Sequence, residues 1–349
     1  MRNKRVVWAV AAIAVVLVLT GAGVAIALAA RTDAPAAAPG QQVATPAPAS
    51  ASPAPPPGSD ITGPLDLLLI GVDTRVTIPG WQPHADAIML LHVDQRLTNG
   101  YLTSLPRDLR VTTAFGRLKI TEVMSQGSRV RGSKQPDPER GYAALREAIS
   151  DYTGIDDFDA GAVLTFGGMS RLTDALGGVT LRIDQKVVSQ HRRPDGSMRT
   201  LRSGGGGYVG PQATYLPGTR KLKGWQALDY ARQRYTAGGD YARQRHQRQL
   251  VKALLTAAAD SDLGEQQRII QALNDNLVYV GERNPIEYAY ALRNLAPDNL
   301  TLVGLPGGSV FNGGYIGEEL RPVGRQYLRA VARNDPGAFL ATHPELVHS

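Results

Sequence analysis

The feature that most constrains this chain is a run of twenty-five residues without a charge, positions 6–30. A helix needs about 20 apolar residues to cross the hydrocarbon core of a bilayer. Three basic residues precede the run and Arg31 follows it, which places the N-terminus in the cytoplasm. A cleaved signal peptide is the alternative, favoured by the small residues 27–30. We expect an uncleaved anchor over 6–30, after a cytoplasmic basic tip of residues 1–5.

The next segment, residues 31–60, consists mostly of Ala, Pro, Gly, Ser and Gln. This composition cannot bury apolar surface, so we expect an extracytoplasmic tether without a core of its own. The remainder, residues 61–349, is long enough to form a globular domain. The predicted protein is therefore a single-pass protein of the cell membrane whose domain lies outside the cytoplasm.

Composition narrows the chemistry of that domain. The absence of cysteine excludes disulfides, a thiol nucleophile and zinc–thiolate sites, and the six histidines show no metal-ligand spacing. A net charge of +7 indicates anionic partners. Because an exported domain does not meet the chromosome, we expect phosphates or anionic wall polymers as partners, and no nucleic acid.

The pattern of apolar runs predicts an α/β fold. Leu65–Val72, Ala87–Val93 and Tyr101–Leu105 are typical of buried strands, and a Thr-Asn-Gly turn predicts that the last two form a hairpin. Another strand is predicted near residues 301–305, besides the VTLRI run. Helices are predicted at 142–152, 169–176, 222–230, 241–259, 266–277, 286–295 and 317–333. The interleaving indicates an α-β-α layered domain, and the role of the glycine-rich segment 203–210 stays open.

Charged residues follow the predicted strands. Asp73 and Arg75 come at the end of the first strand, Asp86 opens the second and Arg107 follows the third. Strand ends lie near one another, and carboxylates with an open position suit Mg²⁺. The alternative is that Asp73 and Asp108 only cap turns.

Residues 229–248 are rich in arginine. Arg232 and Arg234 lie on the same side if the helix before them ends near residue 231, and paired guanidinium groups match a pyrophosphate. Arg243 and Gln247 share one face of the next helix, for which Asp240 is the predicted N-cap. The alternative is a solvated basic surface beside anionic headgroups.

Several runs resemble, in order, the motifs of one family. They are LLLIGVDTR, HADAIMLLHVD, YLTSLPRDLRV, LTDALGGVTL, LKGWQALDYARQRY and DYARQRHQRQLVKAL. Over residues 65–259 the chain is similar to the LytR-CpsA-Psr family, and the anchor and tether also fit. The resemblance implies a three-layer α-β-α fold with a central mixed sheet and an apolar tunnel for a polyprenyl tail. It also implies Mg²⁺-dependent transfer of a wall glycopolymer from polyprenyl pyrophosphate to peptidoglycan, in a Gram-positive bacterium.

The family's functional residues map onto this chain by position. The metal-associated aspartates correspond to Asp73 and Asp86. The residues that contact the pyrophosphate and the phosphate end of the lipid correspond to Arg107, Arg232, Arg234, Arg243 and Gln247. Two positions differ: His84 and His246 stand where the family favours arginine, and a histidine carries no permanent charge at neutral pH. His84 can still donate a hydrogen bond, and we assign it, together with Arg75, to the residues that bind the pyrophosphate.

The resemblance implies that a peptidoglycan hydroxyl attacks the sugar-side phosphorus and that lipid phosphate leaves. Asp73, Arg107, Arg232 and Arg234 are the implied catalytic residues, and the proton acceptor stays open. A hydrolase of the lipid-linked glycan and a non-catalytic binding module are the alternatives, and the predicted topology argues against a DNA-binding role. High Ala, Arg and Gly content is typical of actinobacteria, in which both arabinogalactan and teichoic-type polymers fit.

Overall fold

The computed structural model describes residues 55–73, 81–203, 207–259, 268–269, 271–273 and 276–348. The predicted anchor, the predicted tether up to residue 54 and Arg75 lie outside these residues. Within the described part of the chain, no helix combines the length and apolar character needed to span a bilayer.

The strands alternate with helices along the chain. The strands are β1 (Leu65–Asp73), β2 (His84–Val93), β3 (Gly100–Leu105), β4 (Arg110–Thr113), β5 (Gly116–Lys119), β6 (Ala160–Thr165), β7 (Val179–Ile183), β8 (Val187–Val188), β9 (Thr200–Leu201), β10 (Tyr208–Val209), β11 (Thr214–Tyr215), β12 (Gly218–Leu222), β13 (Leu277–Gly281), β14 (Leu300–Gly304), β15 (Gly307–Phe311), β16 (Tyr315–Leu320) and β17 (Val347–His348). The helices are α1 (Ile120–Gly127), α2 (Pro138–Thr153), α3 (Phe166–Ala175), α4 (Gly224–Arg232), α5 (Gly239–Ala259), α6 (Pro285–Ala291), α7 (Pro322–Ala332) and α8 (Pro336–Thr342). Short 3-10 turns cover Leu292–Asn294, Pro297–Asn299 and Pro344–Leu346.

A mixed sheet forms the centre of the described domain, with the order β13-β6-β1-β2-β3-β14-β17. β1, β2 and β3 pair antiparallel, whereas β6 runs parallel to β1 and β14 runs parallel to β3. Both predicted elements of the β2–β3 hairpin are therefore confirmed. The pairing brings the C-terminal end of β1 beside the N-terminal end of β2 and the C-terminal end of β3.

Successive side chains of β1 enter different cores. Leu65 and Leu67 belong to one buried cluster, and Leu68 and Ile70 belong to the other. A strand that is buried on both faces of its sheet has a nearly continuous apolar sequence, because neither face meets water. This is the physical reason why LDLLLIGV predicts a central strand.

Helices cover both faces of the sheet. The cluster that contains Leu67 is completed by α3, α4, α5 and α6, and the cluster that contains Leu68 by α1, α2, α7 and α8. The expected α/β fold with a central mixed sheet is confirmed. Each helix layer buries an apolar stripe against the sheet, and this burial is the main favourable contribution to folding.

Three sequence predictions differ from the structure. The helix predicted over 266–277 is confirmed at the described residues 268–269 and 271–273, but it ends before Leu277, where β13 begins and pairs with β6. The helix predicted over 317–333 is instead β16 followed by α7, and Pro322 stands in the first turn of α7, where its missing N–H costs nothing. The segment predicted as a loop after residue 188 carries the short ladders β9–β10 and β8–β11.

Gly161 provides a test of the packing between sheet and helix. A Cβ at Gly161, in β6, would collide with the buried ring of Tyr142, in α2. We expect Gly161→Ala to lower the free energy of unfolding by about 1–3 kcal/mol, the usual cost of overpacking, with a lower Tm of the full chain. Gly308→Ala is the matched control, because a Cβ there meets no described atom within 4 Å. Equal Tm values for the two variants would contradict this packing.

Candidate active site

A polar cavity lies where β1, β2 and β3 come together. Its lining side chains belong to Asp73, Asp86, Arg107, Phe166, His191, Arg232, Gln233, Arg234, Tyr235, Arg243 and Gln247. These include the predicted site residues except Arg75, which lies outside the described residues, and His84. Residues from seven separate stretches of the sequence thus surround one space.

A β-bulge brings the two carboxylates to the same side of the sheet. Asp73 pairs with His84 and Val72 with Ala85, but Gly71 pairs with Ala87, so Asp86 is the extra residue. Alternation would otherwise point Asp86 away from the cavity, and a bulge redirects the side chain. The bulge is therefore the backbone feature that joins both aspartates in one site.

Arg107 is held by Asp86. Its Nη1 donates a hydrogen bond to Asp86 Oδ1, and its Nε lies 3.9 Å from Asp108 Oδ1. Burial lowers the pKa of Arg107, but the adjacent Asp86 carboxylate more than offsets this, so the net pKa is raised. The Arg107 Nε is buried without a hydrogen-bond partner among the described residues. Asp86 therefore fixes the orientation of this guanidinium at the wall of the cavity.

Arg232 and Arg234 point together because the helix ends between them. Arg232 is the last residue of α4, and Gln233 is extended with φ −72° and ψ 128°. Arg232 Nη2 lies 3.5 Å from Asp73 Oδ2, and its guanidinium carbon lies 4.4 Å from the centroid of Phe166. The Arg234 Nη2 donates to Tyr235 Oη at 3.4 Å. The ion pair and the ring together fix Arg232 over the cavity.

The first turns of α5 complete the cavity. Arg243 is 5 % exposed and Gln247 is 8 % exposed, and both line the cavity. Asp240 was predicted as the N-cap, but α5 begins at Gly239, and Asp240 instead forms an ion pair with Arg243 at 2.8 Å. Burial lowers the pKa of Arg243. The predicted alternative of a solvated basic surface is wrong for Arg243.

His84 lies next to the cavity without lining it. Its Nδ1 is 3.1 Å from Gln82 O, and its ring centroid is 5.7 Å from that of Trp81. His246 points the other way: it is fully buried, stacks on Tyr230 at 4.3 Å, and burial lowers its pKa to about 4. The two positions that differ from the family pattern therefore supply no cation to the cavity lining.

Four lining residues were not predicted from the sequence: Phe166, His191, Gln233 and Tyr235. His191 belongs to the irregular segment before β9, and nothing in its spacing connects it with the site. Burial and then the nearby Arg232 lower the pKa of His191, so its imidazole is neutral at pH 7. Phe166 begins α3 beside Gly71, and aromatic character alone does not separate a cation–π partner from a core residue.

Asp229, in the same motif as Arg232, has a structural role. Its buried carboxylate accepts hydrogen bonds from Ser189 Oγ at 3.0 Å, Tyr215 Oη at 2.8 Å and Gln233 Nε2 at 2.8 Å. Burial raises its pKa. These bonds tie the segment of His191 to the C-terminal end of α4, so Asp229 positions the wall of the cavity that carries Arg232.

The charge of the cavity suits a pyrophosphate with a hard cation. Four arginines face two carboxylates, and guanidinium groups bind phosphate oxygens in pairs. The described residues contain no group of three or more His, Cys, Asp or Glu placed to hold a metal ion. Asp73 and Asp86 still fit Mg²⁺, because Mg²⁺ takes one or two carboxylates and completes its shell with water and substrate phosphates.

An apolar cavity adjoins the polar one, between the sheet and helices α3 and α5. It is lined by Leu69, Ile70, Gly71, Ala87, Met89, Ala162, Leu164, Met169, Leu172, Leu176, Val251, Leu254, Leu255 and Ala258. Gly71 precedes Asp73 by two residues, Ala87 follows Asp86 directly, and Val251 lies one turn after Gln247. The two cavities are thus neighbours along β1, β2 and α5.

The sequence matches a family model over most of its length. The model is described as the LytR_cpsA_psr family, and it matches residues 29–317. The chain belongs to the LytR-CpsA-Psr family. The resemblance seen in the motifs is therefore confirmed, and members of this family transfer glycopolymers to peptidoglycan.

The LytR-CpsA-Psr relatives are distant in sequence. The chain is 27 % identical to Biofilm regulatory protein A of Streptococcus mutans over 61 % of its length and 49 % of the relative. It is 26 % identical to the cell wall biosynthesis protein LcpA of Corynebacterium glutamicum, over 75 % of its length and 54 % of the relative. It is 25 % identical to the polyisoprenyl-teichoic acid–peptidoglycan teichoic acid transferase TagU of Enterococcus faecalis, over 61 % and 60 %. The chain spans about half the length of these curated relatives.

Solved structures of the family share the fold. The structure of TagT bound to LIIa-WTA superposes with a TM-score of 0.57 at 20 % identity, over 82 % of this chain and 95 % of that chain. At this identity the likeness shows the fold alone.

Asp229→Asn tests the anchoring of the LytR-CpsA-Psr motif. An asparagine has one acceptor oxygen, so its amide nitrogen must face one of the three donors that Asp229 satisfies. We expect the free energy of unfolding to fall by about 1–3 kcal/mol, the cost of unsatisfied buried groups, and proteolytic cleavage after residue 188 to become faster. The exposed Asp298→Asn is the matched control. An unchanged Tm and cleavage rate would show that Asp229 does not anchor this segment.

Proposed function

We propose that this chain is a Mg²⁺-dependent phosphotransferase. It moves a cell-wall glycopolymer from a polyprenyl-pyrophosphate carrier onto peptidoglycan and forms a phosphodiester bond. Its N-terminal segment anchors it in the cell membrane, with the domain outside the cytoplasm. The observation that carries the proposal is the placement of a cavity with four arginines and two carboxylates directly beside an apolar cavity.

The two cavities match the two ends of such a carrier. A polyprenyl tail is an uncharged hydrocarbon, and the side chains that line the apolar cavity are aliphatic or methionine. Burial of hydrocarbon contributes roughly 0.8 kcal/mol per CH₂ group. Leu254 and Leu255, which the sequence alone could not assign to a lipid site, belong to this lining, whereas Leu250 packs only in the adjoining core.

The arginines provide binding for the pyrophosphate. Four arginines line the polar cavity: Arg107, Arg232, Arg234 and Arg243. Ion pairs already orient three of them: Arg107 with Asp86, Arg232 with Asp73, and Arg243 with Asp240. Preorganised cations placed where negative charge develops are a large source of rate enhancement in phosphoryl transfer. His84 remains a candidate pyrophosphate ligand beside the cavity, and Arg75, which lies outside the described residues, remains a candidate from its place in the sequence.

Asp73 and Asp86 are the proposed ligands of Mg²⁺. When bound, the cation would neutralise negative charge on the phosphate oxygens. The two carboxylates also keep Arg232 and Arg107 in place, as their ion pairs show. Removal of either carboxylate should therefore weaken both the metal site and the position of one arginine.

The proposed step is a displacement at the sugar-side phosphorus. An acceptor hydroxyl oxygen of peptidoglycan forms the new P–O bond, and the bond from that phosphorus to the bridging oxygen breaks. Lipid monophosphate leaves with the electron pair, and the hydroxyl proton passes to one of the cavity carboxylates. Arg107, Arg232 and Arg234 offset the charge on the leaving phosphate.

The test uses the full chain in dodecyl maltoside micelles, with a labelled glycan on polyprenyl pyrophosphate, Mg²⁺ and insoluble peptidoglycan. We expect covalently bound label, none with Asp73→Ala or a chelator, and turnover about 100-fold lower with Arg232→Ala. The matched control is Arg220→Ala, an exposed arginine of β12. Near-normal turnover of Arg232→Ala would remove this residue from the site. Free glycan phosphate would indicate a hydrolase, and bound carrier without product would indicate a binding module.

Val251→Trp tests the assignment of the apolar cavity to the lipid tail. Val251 is half-buried at the end of the cavity nearest Gln247, so an indole should occupy space that the tail needs. We expect KM for a long polyprenyl carrier to rise about tenfold, as for roughly 1.4 kcal/mol of lost binding. KM for a carrier with a single isoprene unit should not change. Thr256→Trp, on the exposed face of α5, is the control. An equal rise of KM for both carriers would contradict the assignment.

A further inference from the structure

A third cavity lies on the other side of α5 from the polar cavity. It is lined by Tyr241, Gln244, Arg245, Arg248, Gly304, Leu305, Pro306, Gly307, Arg321, Val323, Glu345, Leu346 and His348. α5 presents Arg243 and Gln247 to the polar cavity and Gln244 and Arg248 to this one. Because residues four apart share a helix face, two separate faces of one helix line two separate cavities.

Arg248 is the unusual residue of this cavity. It is 2 % exposed and among the largest fully buried side chains of the described chain. Its guanidinium packs against Gly304, where an added Cβ would lie 2.8 Å from Arg248 Nη2. Its Nε and Nη1 atoms are buried without a hydrogen-bond partner among the described residues. Burial, followed by repulsion from Arg245, lowers its pKa to about 9, so the side chain is still charged at neutral pH.

An unpaired buried cation is unfavourable in itself. Removing a charge from water has a large free-energy cost that only a counter-charge and hydrogen bonds recover. Every other deeply buried arginine of the described domain has partners: Arg243 has Asp240, and Arg199 donates to the carbonyls of residues 190, 208 and 210. The lack of a described partner for Arg248 therefore points to a ligand that supplies the negative charge.

The surroundings set the charge of that ligand. Arg245 is neutralised by its ion pair with Asp184. Burial and then Arg248 lower the pKa of His348, so this imidazole is neutral at pH 7. Arg321 and Glu345 are exposed at the rim of the cavity, and their opposite formal charges add up to zero. One positive charge, on Arg248, remains in the cavity, and it matches a group with one negative charge.

We propose that the cavity around Arg248 is a second anion site, which binds a phosphate group as a singly charged phosphodiester. The planar guanidinium offers paired N–H donors that fit two phosphate oxygens. Gln244 and the His348 ring lie in the same lining and add polar contacts. The site is separate from the polar cavity and does not depend on the proposed reaction there.

The test compares the stability of full chains in dodecyl maltoside at constant ionic strength. Arg232→Gln/Arg234→Gln is the parent, because these changes weaken anion binding in the polar cavity. We expect saturating dimethyl phosphate to raise the parent's Tm by roughly 5 °C, and Arg248→Met to abolish this rise. Without phosphate, Arg248→Met should be at least as stable as the parent, since it removes an unpaired charge. Inorganic phosphate in a parallel titration distinguishes a free ion from a diester.

Arg329→Gln is the control in the same parent, because Arg329 is an exposed arginine of α7 outside the cavity. It should keep the full response to phosphate. Arg248→Lys retains the charge but not the paired donors, so its rise should be smaller than that of the parent. An equal rise in the parent and in Arg248→Met would overturn the proposal. The proposal would also be overturned if the Tm of Arg248→Met were lower than that of the parent by the same amount at every phosphate concentration. That result would show that Arg248 has a structural role only.

Discussion

The antiparallel pairing of β1 with β2, interrupted by one bulge, is the interaction on which the site depends. The pairing is stabilised from both sides, since Leu67 and Leu68 enter different cores. Where it ends, the bulge turns Asp86 toward the side that Asp73 faces. Each carboxylate then fixes one arginine from a distant part of the chain. The position of the cationic groups is thus a consequence of strand register.

The sequence predicted the elements whose pattern is strictly local. The apolar runs of β1, β2 and β3 are fixed by burial on both faces, and the arrangement of Arg232 and Arg234 follows from the end of α4. The family motifs added which of these residues share a site. Among the elements that the sequence did not predict are the edge strand β13 and the β15–β16 hairpin, whose pairing partners decide their conformation. Such pairing is tertiary information that local propensity does not contain.

The site residues missed from the sequence have the same origin. His191 reaches the cavity only because Asp229 holds its segment through Ser189, a contact across forty positions. The β-bulge beside Gly71 cannot be predicted from the pattern of apolar residues in β1, in which only the glycine before Val72 is unusual. The sequence also does not predict which arginines are buried. The polar first half of α5 is typical of a solvated surface, although Arg243 and Arg248 are both buried.

This burial connects the structure of α5 with its chemistry. The helix is apolar only in its second half, where Leu254 and Leu255 line the cavity beside the sheet. In its first half, buried guanidinium groups lie beside a few apolar contacts, such as the stacking of His246 on Tyr230. Guanidinium groups keep their charge when buried, so each needs an anion nearby. Asp240 pairs with Arg243 and Asp184 pairs with Arg245, so Arg248 is the arginine of α5 whose anion the proposed ligand supplies. Arg248 is thus the position on this helix at which a bound anion would add to the stability that apolar packing provides.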